Sequence, residues 1–193
     1  RSVFPVGPGQ TILVHAAAGG VGLLLCQWAA HLGARVIGVV STPEKAAVAR
    51  ANGCRHVILA GDPDIPGRVR SLTAGEGVPV VYDSVGHDTF ELSLDCLKPR
   101  GLMVSFGTAS GKVPPLDLFT LNRKGSLSVT SAAFAWFVQS REELRARAAD
   151  VIDAVLSGVV KVHVHSQVPL AEAAEAHRAL ESRRTIGATV LIP

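Results

Sequence analysis

The stretch Ile12–Lys45, ILVHAAAGGVGLLLCQWAAHLGARVIGVVSTPEK, decides the fold. It opens on an apolar run and gives up its side chains between Ala16 and Gly22. It then turns helical in pattern and ends in a second apolar run. Val21, Leu24, Leu25, Trp28 and Leu32 recur at the spacing of one helix face. The intervening Ala17-x-Gly19-x-x-Gly22 is the dinucleotide fingerprint with alanine in its first place. Gly19 lets the backbone come close to a pyrophosphate, and Gly22 lets the helix pack tightly on the strand. The free N–H groups and dipole of the helix start favour phosphate. Glycine-rich turns also serve packing alone. Here the turn follows a strand, opens a helix and lies inside a βαβ pattern, which favours the nucleotide reading.

The second strand ends at Val40, where a site that prefers NAD carries Asp or Glu for the ribose hydroxyls. This chain has Ser41 and Thr42, then Lys45. Hydroxyls and an ammonium suit a 2′-phosphate. A charge-assisted hydrogen bond is worth about 1.5–3 kcal/mol, a tenfold to hundredfold preference for NADP(H). Thr42-Pro43-Glu44 reads as a helix start, with threonine at the cap and glutamate at the positive dipole end. Glu44 is expected to face solvent there; turned inward, it would repel the phosphate.

Working outward, strand-like runs recur at Thr11–His15, Arg35–Val40, His56–Leu59, Val78–Tyr82 and Gly101–Phe106, with helical patterns between most of them. The runs are short and nearly all apolar, as strands buried on both faces are. This alternation predicts an α/β fold: a Rossmann doubly wound parallel sheet with helices on both faces. Ser126–Thr130 reads as a sixth strand at an edge. The pattern then changes. Arg141–Ser157 reads as a helix with Leu144, Ala148, Val151, Ile152 and Val155 on one face. Val160–His165 reads as a strand, Leu170–Ser182 as a helix and Ala188–Ile192 as a strand. We divide the chain into a dinucleotide-binding domain, residues 1–132, and a tail, residues 133–193. The tail has too little core of its own and is expected to pack on something further.

Composition bounds the remaining options. The 193 residues are 48% hydrophobic, which supports a large core and argues against disorder. No apolar run reaches the roughly 18 residues of a membrane span. A net charge of +3 with scattered basic residues suits an anionic small ligand as well as nucleic acid. Cys26, Cys54 and Cys96 show no metal-ligand spacing and read as buried thiols of a reducing, cytoplasmic compartment. No metal site is expected. There is no signal peptide and no initiator methionine, and Arg1 opens a segment that reads as the middle of a longer protein.

Four motifs in order, HAAAGGVG, VVYDSVGHDTFELSLDCLKPRGLMVSFG, LNRKGSLSVTS and EAAEAHRALESRRTIGATVLIP, closely resemble the zinc-independent NADPH:quinone oxidoreductases. These form the zeta-crystallin-like group of the medium-chain dehydrogenase/reductase superfamily, and the likeness runs from about Gly9 to Pro193. The resemblance implies a GroES-like substrate domain first in the chain, then the Rossmann domain, then a return to finish the substrate domain. The tail would be that returning segment of an incomplete GroES-like domain. Roughly the first 125 residues of such a protein would precede this sequence, judged from usual domain size.

The resemblance also implies site residues, all of them binding NADPH and none catalytic. Gly19, Gly20 and Val21 fall at the pyrophosphate turn. Ser41, Thr42 and Lys45 surround the 2′-phosphate. Ser84 and Val85 lie beside the cofactor after the fourth strand. Phe106, Gly107, Thr108 and Ala109 line the nicotinamide side after the fifth. Ala132, Ala133 and Phe134 approach the nicotinamide, and Arg183 reaches the cofactor from the tail. Ala60 stands where the family often has a tyrosine at the adenosine end, and Ala188 where many members carry lysine. The first departure weakens a contact; the second is expected to matter little.

The activity implied is hydride transfer from NADPH to a quinone or similar conjugated acceptor, with the protein positioning the cofactor and shielding it. A zinc-dependent alcohol dehydrogenase or an enoyl reductase of the same superfamily is the alternative within enzymes. A non-catalytic nucleotide- or RNA-binding module is the alternative outside them, although no RNP-like aromatic pattern is present. Asp83 and His15 read as structural groups at strand ends, and Tyr82 as core. His177 reads as packed on an apolar helix face, and His163 and His165 alternate on a strand without a third ligand. Trp136 and Phe137 read equally as cleft or core. A homodimer is expected through the edge strand near Leu127–Thr130, since an unpaired apolar edge is otherwise a liability. No membrane partner is expected. This chain alone is expected to bind NADPH and to reduce quinones poorly.

Overall fold

A computed structural model describes residues 2–193. Its first part alternates strand and helix: β1 (Thr11–His15), α1 (Gly20–His31), β2 (Arg35–Val40), α2 (Pro43–Ala51), β3 (Cys54–Leu59), α3 (Ile65–Leu72), β4 (Val78–Asp83), α4 (Phe90–Asp95), β5 (Leu97–Ser105), α5 (Leu118–Arg123) and β6 (Ser128–Ser131). The six strands form one parallel sheet in the order β3-β2-β1-β4-β5-β6. The order in which strands are added reverses between β1 and β4, all strands staying parallel, and in such sheets a crevice opens there beyond the strand carboxyl ends.

Apolar cores fill both faces of the sheet. On one, Cys26 and Ala29 of α1 and Ala46 and Ala49 of α2 pack on Ile12, Val14, Val36 and Val80. On the other, Ile65 and Val69 of α3 and Phe90 and Leu94 of α4 pack on Leu13, Ile37, Val81 and Met103. The alternation of Ile12/Leu13 and Val36/Ile37 between the two cores explains why these strands are apolar throughout. The doubly wound sheet is as the sequence implies. The sixth strand lies at the edge, shifted to Ser128–Ser131.

The helix α1 presents two faces. Its buried residues are Gly22, Leu23, Cys26 and Ala29, whereas Val21 is 62% exposed. A Cβ on Gly22 would stand 2.3 Å from the Ala16 carbonyl oxygen. The helix therefore approaches the sheet on its small residues. The bulky row of Val21, Leu24, Leu25, Trp28 and Leu32 is turned to one side, where it lines a separate apolar cavity of about 440 Å³.

The tail holds α6 (Arg141–Leu156), β7 (Val164–Pro169), α7 (Ala173–Glu181) and β8 (Ala188–Ile192), with 3₁₀ turns at Phe134–Phe137 and Leu170–Glu172. β7 and β8 pair as a two-stranded parallel sheet. The α6 start is fixed by a capping box between Ser140 and Glu143. Of its 16 residues only Ala154 is buried, and Leu144, Ala148, Val151, Ile152 and Val155 are all exposed. Two readings of the tail are corrected. The strand expected at Val160–His165 begins at Val164, so His163 lies before it. His177 is exposed, because α7 turns Ala173, Ala176 and Ala179 inward instead. Of the two aromatics that read equally as cleft or core, Trp136 is exposed and Phe137 is half-buried. The three cysteines are buried free thiols.

Candidate nucleotide-binding site

A groove of about 460 Å³ opens beyond the carboxyl ends of β1, β2 and β4. Gly19 forms its floor at the start of α1, as the N-cap residue. No side chain caps this helix, and its first turn carries no acid. The positive end of the helix is thus left for an anion from outside. Ala16 holds a left-handed φ of 50° to turn the chain out of β1. Gly20 faces the tail: a Cβ there would lie 3.4 Å from the Gly187 carbonyl oxygen. Val21 points away into the apolar cavity.

Ser41 and Lys45 line the groove beside β2. Thr42 caps α2, its hydroxyl accepting from the Lys45 N–H at 3.3 Å, so its oxygen is partly engaged in the backbone. Glu44 is fully exposed, as expected, and its carboxyl is held below the usual range by the Thr42 hydroxyl and its own main-chain N–H. Arg183 arrives from the tail and lines the opposite lip. The Lys45 ammonium donates to the Arg183 main-chain carbonyl. Burial, and secondarily the Arg183 charge, hold the Lys45 pKa below the usual lysine range. The two cations therefore meet at a place where an anion relieves both. Ala60 and Asp62 line the wall after β3, where the tyrosine is absent. Asp88 also lines the groove, 3.9 Å from the Arg183 guanidinium.

The β4 end is built on a buried carboxylate. Asp83 Oδ1 accepts from the N–H groups of Val85 (2.8 Å) and Gly86 (3.1 Å). Thr89 donates to Asp83 as well, and Ser93 Oγ donates to Oδ2 at 2.7 Å. Ser93 has one hydroxyl proton, so at 3.0 Å its oxygen accepts from His15 Nε2–H. Burial pushes the His15 pKa below its ordinary value, which outweighs the upward pull of Asp83. His15 is thus neutral with its proton on Nε2. Asp83 and His15 are structural: they fix the turn Ser84–Gly86.

That turn carries the next one. Phe106 N–H donates to the Asp83 carbonyl at 2.9 Å, Ala109 N–H to Ser84 at 3.3 Å and Ser110 N–H to Val85 at 2.8 Å. Val85 and Ala109 line the groove; Ser84, Phe106, Gly107 and Thr108 form the strip behind it. A Cβ on Gly107 would stand 2.6 Å from the Ser84 carbonyl oxygen, so the two turns fit only with glycine there. Ala132 follows β6, its N–H donating to Ser105 at 2.9 Å, and packs with Phe106 on the core. Ala133 and Phe134 are exposed beyond it, outside the groove lining.

The structure therefore brings Gly19, Ser41, Lys45, Val85, Ala109 and Arg183 into one groove, whereas the Val21 side chain turns into the separate apolar cavity and Ala133 and Phe134 stay outside the groove lining. Sequence reasoning missed Asp62, Asp88 and Thr185 as lining residues. The first two follow strand ends by a few residues, which was a usable signal; Thr185 had none. Among the described residues, no group of three or more His, Cys, Asp or Glu side chains is placed to hold a metal ion. No helix is long and apolar enough to cross a membrane.

A switch-point groove over a glycine turn, with cations at the end of β2, defines a dinucleotide-binding fold. Residues 20–154 match the zinc-binding dehydrogenase family model. The chain belongs to that family. It is 48% identical over 193 residues to a quinone oxidoreductase of Pseudomonas aeruginosa, covering 100% of this chain and 59% of that protein. It is 47% identical over 189 residues to a 2-haloacrylate reductase of a Burkholderia species, covering 97% of this chain and 57% of that one. The solved Escherichia coli quinone oxidoreductase complexed with NADPH superposes with a TM-score of 0.97 at 48% identity, covering 100% of this chain and 60% of that one. The chain thus spans about three-fifths of the length of the proteins it is similar to.

Proposed function

We propose that the groove holds NADPH and that the protein is an NADPH-dependent oxidoreductase acting on quinones or similar conjugated acceptors. The observation that carries this reading is the convergence of Lys45 and Arg183 beside Ser41, at the lip of a groove floored by a glycine turn. In this reading Gly20 and Val21 receive the pyrophosphate at the α1 start, and Gly19, whose own N–H donates to the Ala16 carbonyl at 2.9 Å, lets the backbone come close to it. Ser41, Thr42, Lys45 and Arg183 surround the 2′-phosphate. Ser84, Val85 and the run Phe106–Ala109 hold the nicotinamide half, with Ala132, Ala133 and Phe134 at its far end. When bound, the nicotinamide supplies a hydride, and the chain's own part is to orient it and keep water away. The acceptor takes up one proton with each hydride, and the solvent supplies it once the reduced anion has formed; no side chain is assigned as acid or base.

The acceptor class follows from the relatives. One similar protein is named for quinones and another for 2-haloacrylate, both electron-poor conjugated systems. The exposed apolar side of α6 and the cavity between it and α1 support the division at residue 132, with residues 133–193 completing a substrate domain. The unpaired outer edge of β6 supports a homodimer through Leu127–Thr130.

The test is a chimera that joins the preceding portion of the Pseudomonas aeruginosa relative to this chain. It is expected to oxidise NADPH in a quinone-dependent reaction, faster than this chain alone. Tight NADPH binding without oxidation by para-benzoquinone, a naphthoquinone or 2-chloroacrylate would overturn the acceptor class.

A further inference from the structure

Gly187 lies outside the groove, yet it joins the tail to the glycine turn. Its N–H donates to the Ala18 carbonyl at 3.0 Å, and it bridges Gly19 in parallel. On its other side the Ala188 N–H donates to the His163 carbonyl at 2.8 Å. The residue is buried, with a left-handed φ of 76°. A Cβ there would stand 2.3 Å from the His163 carbonyl oxygen and 2.7 Å from its ring. Gly20 faces Gly187 at close range in turn. At Gly187 the left-handed φ and the His163 backbone leave room for glycine alone, so a side chain there would have to move the segment that holds the turn.

Four residues before Gly187 in the chain is Arg183, which also holds a left-handed φ, of 58°. Between them Thr185 is buried against the groove and Ile186 packs on the core beside α1 and α2. The segment therefore has two anchors, Gly187 on the turn and the Arg183 carbonyl on Lys45. Arg183 itself is exposed, and its pairing with the equally exposed Asp88 at 3.9 Å holds it only weakly.

We propose that Gly187 is a positioning residue for the 2′-phosphate end of the site: by latching the tail to the glycine turn it carries Arg183 across the groove to Lys45. The inference rests on the NADPH reading above. It adds that phosphate selectivity depends on a residue that touches no part of the cofactor.

The test is equilibrium binding of NADPH and of NADH to the 193-residue chain and its Gly187→Ala, Arg183→Ala and double variants. The unmodified chain is expected to prefer NADPH by about tenfold or more, the value of one charge-assisted hydrogen bond. Gly187→Ala is expected to remove most of that preference while NADH affinity changes by less than about threefold. If Gly187 acts through Arg183, the double variant loses no more than Arg183→Ala alone. Equal losses for both cofactors, or losses that add in the double variant, overturn the latch. A chain without NADPH preference, unaltered by Lys45→Ala, overturns the phosphate reading beneath it as well. Hydrogen exchange on the unmodified chain requires no variant to fold. Saturating NADPH should slow the Gly187 and Ala188 amides more than saturating NADH does, and equal slowing contradicts the proposal.

Discussion

The ammonium of Lys45, one turn into α2, donates to the main-chain carbonyl of Arg183, 138 residues further along the chain. This contact closes, from both sides, the end of the groove proposed for the 2′-phosphate. Lys45→Ala removes one of the two cations that meet there. NADPH affinity is expected to fall about tenfold, the lower end of the range for a charge-assisted bond, because the site is open to solvent. NADH affinity should change little, since it has no phosphate to lose. Isothermal titration with both cofactors checks the split.

Ser93 passes one hydroxyl between Asp83 and His15, all three buried. Ser93→Ala leaves His15 Nε2–H without a partner and takes one donor from a carboxylate that keeps three others. A buried group left unsatisfied costs about 1–3 kcal/mol. For a chain of this size that lowers Tm by several degrees, at about 2–4 °C per kcal/mol. An unchanged melting curve would show that the network is not holding the β4 turn.

The same network sets a pH dependence. His15 is neutral in the folded state, with its pKa pushed below the ordinary 6.5 by burial. Once unfolded it takes up a proton near its ordinary value, so below that pH the unfolded state binds more protons and stability falls with pH. Its contribution is present above 6.5 and is lost progressively as pH drops toward the lowered folded value. Melting temperatures of the chain and of His15→Gln, compared from about pH 7.5 to about pH 5.5, should diverge in slope. The variant should be the flatter of the two.

Gly22→Ala places a Cβ 2.3 Å from the Ala16 carbonyl. Backbone on both sides leaves nowhere to shift, and overpacking of this kind costs about 1–3 kcal/mol. The helix start must also move, so cofactor affinity should fall together with Tm. Gly7→Ala, with nothing within 4 Å of the added atom, is the matched control. It should change neither.

The order of strands and helices was legible because each strand reads as an apolar run and each turn as a glycine cluster. Boundaries of β1 and β2 agree to the residue. That Val21, Leu24, Leu25, Trp28 and Leu32 share one face of α1 was legible; what that face meets was not. A helix approaches this sheet through its small residues, and the bulky apolar row that periodicity picks out serves a second contact beside α6. In the site, Gly19, Ser41 and Lys45 were legible from their distance to strand ends. Thr42 was legible as a cap, and its engagement with the Lys45 N–H reduces what it offers a ligand. Asp62 and Asp88 follow strand ends by a few residues and could have been found from that; Thr185 could not, because its place depends on how the tail folds back, which no local pattern records. The link from Gly187 to Ala18 spans most of the chain and has no sequence signature.

The most direct test of the account is a fluorescence titration of the 193-residue chain with NADPH and, separately, with NADH. Tighter binding of NADPH, by about tenfold or more and lost in Lys45→Ala, is the result the groove predicts. Equal affinity for the two cofactors, or binding of neither, would contradict the assignment of Lys45 and Arg183 to the phosphate.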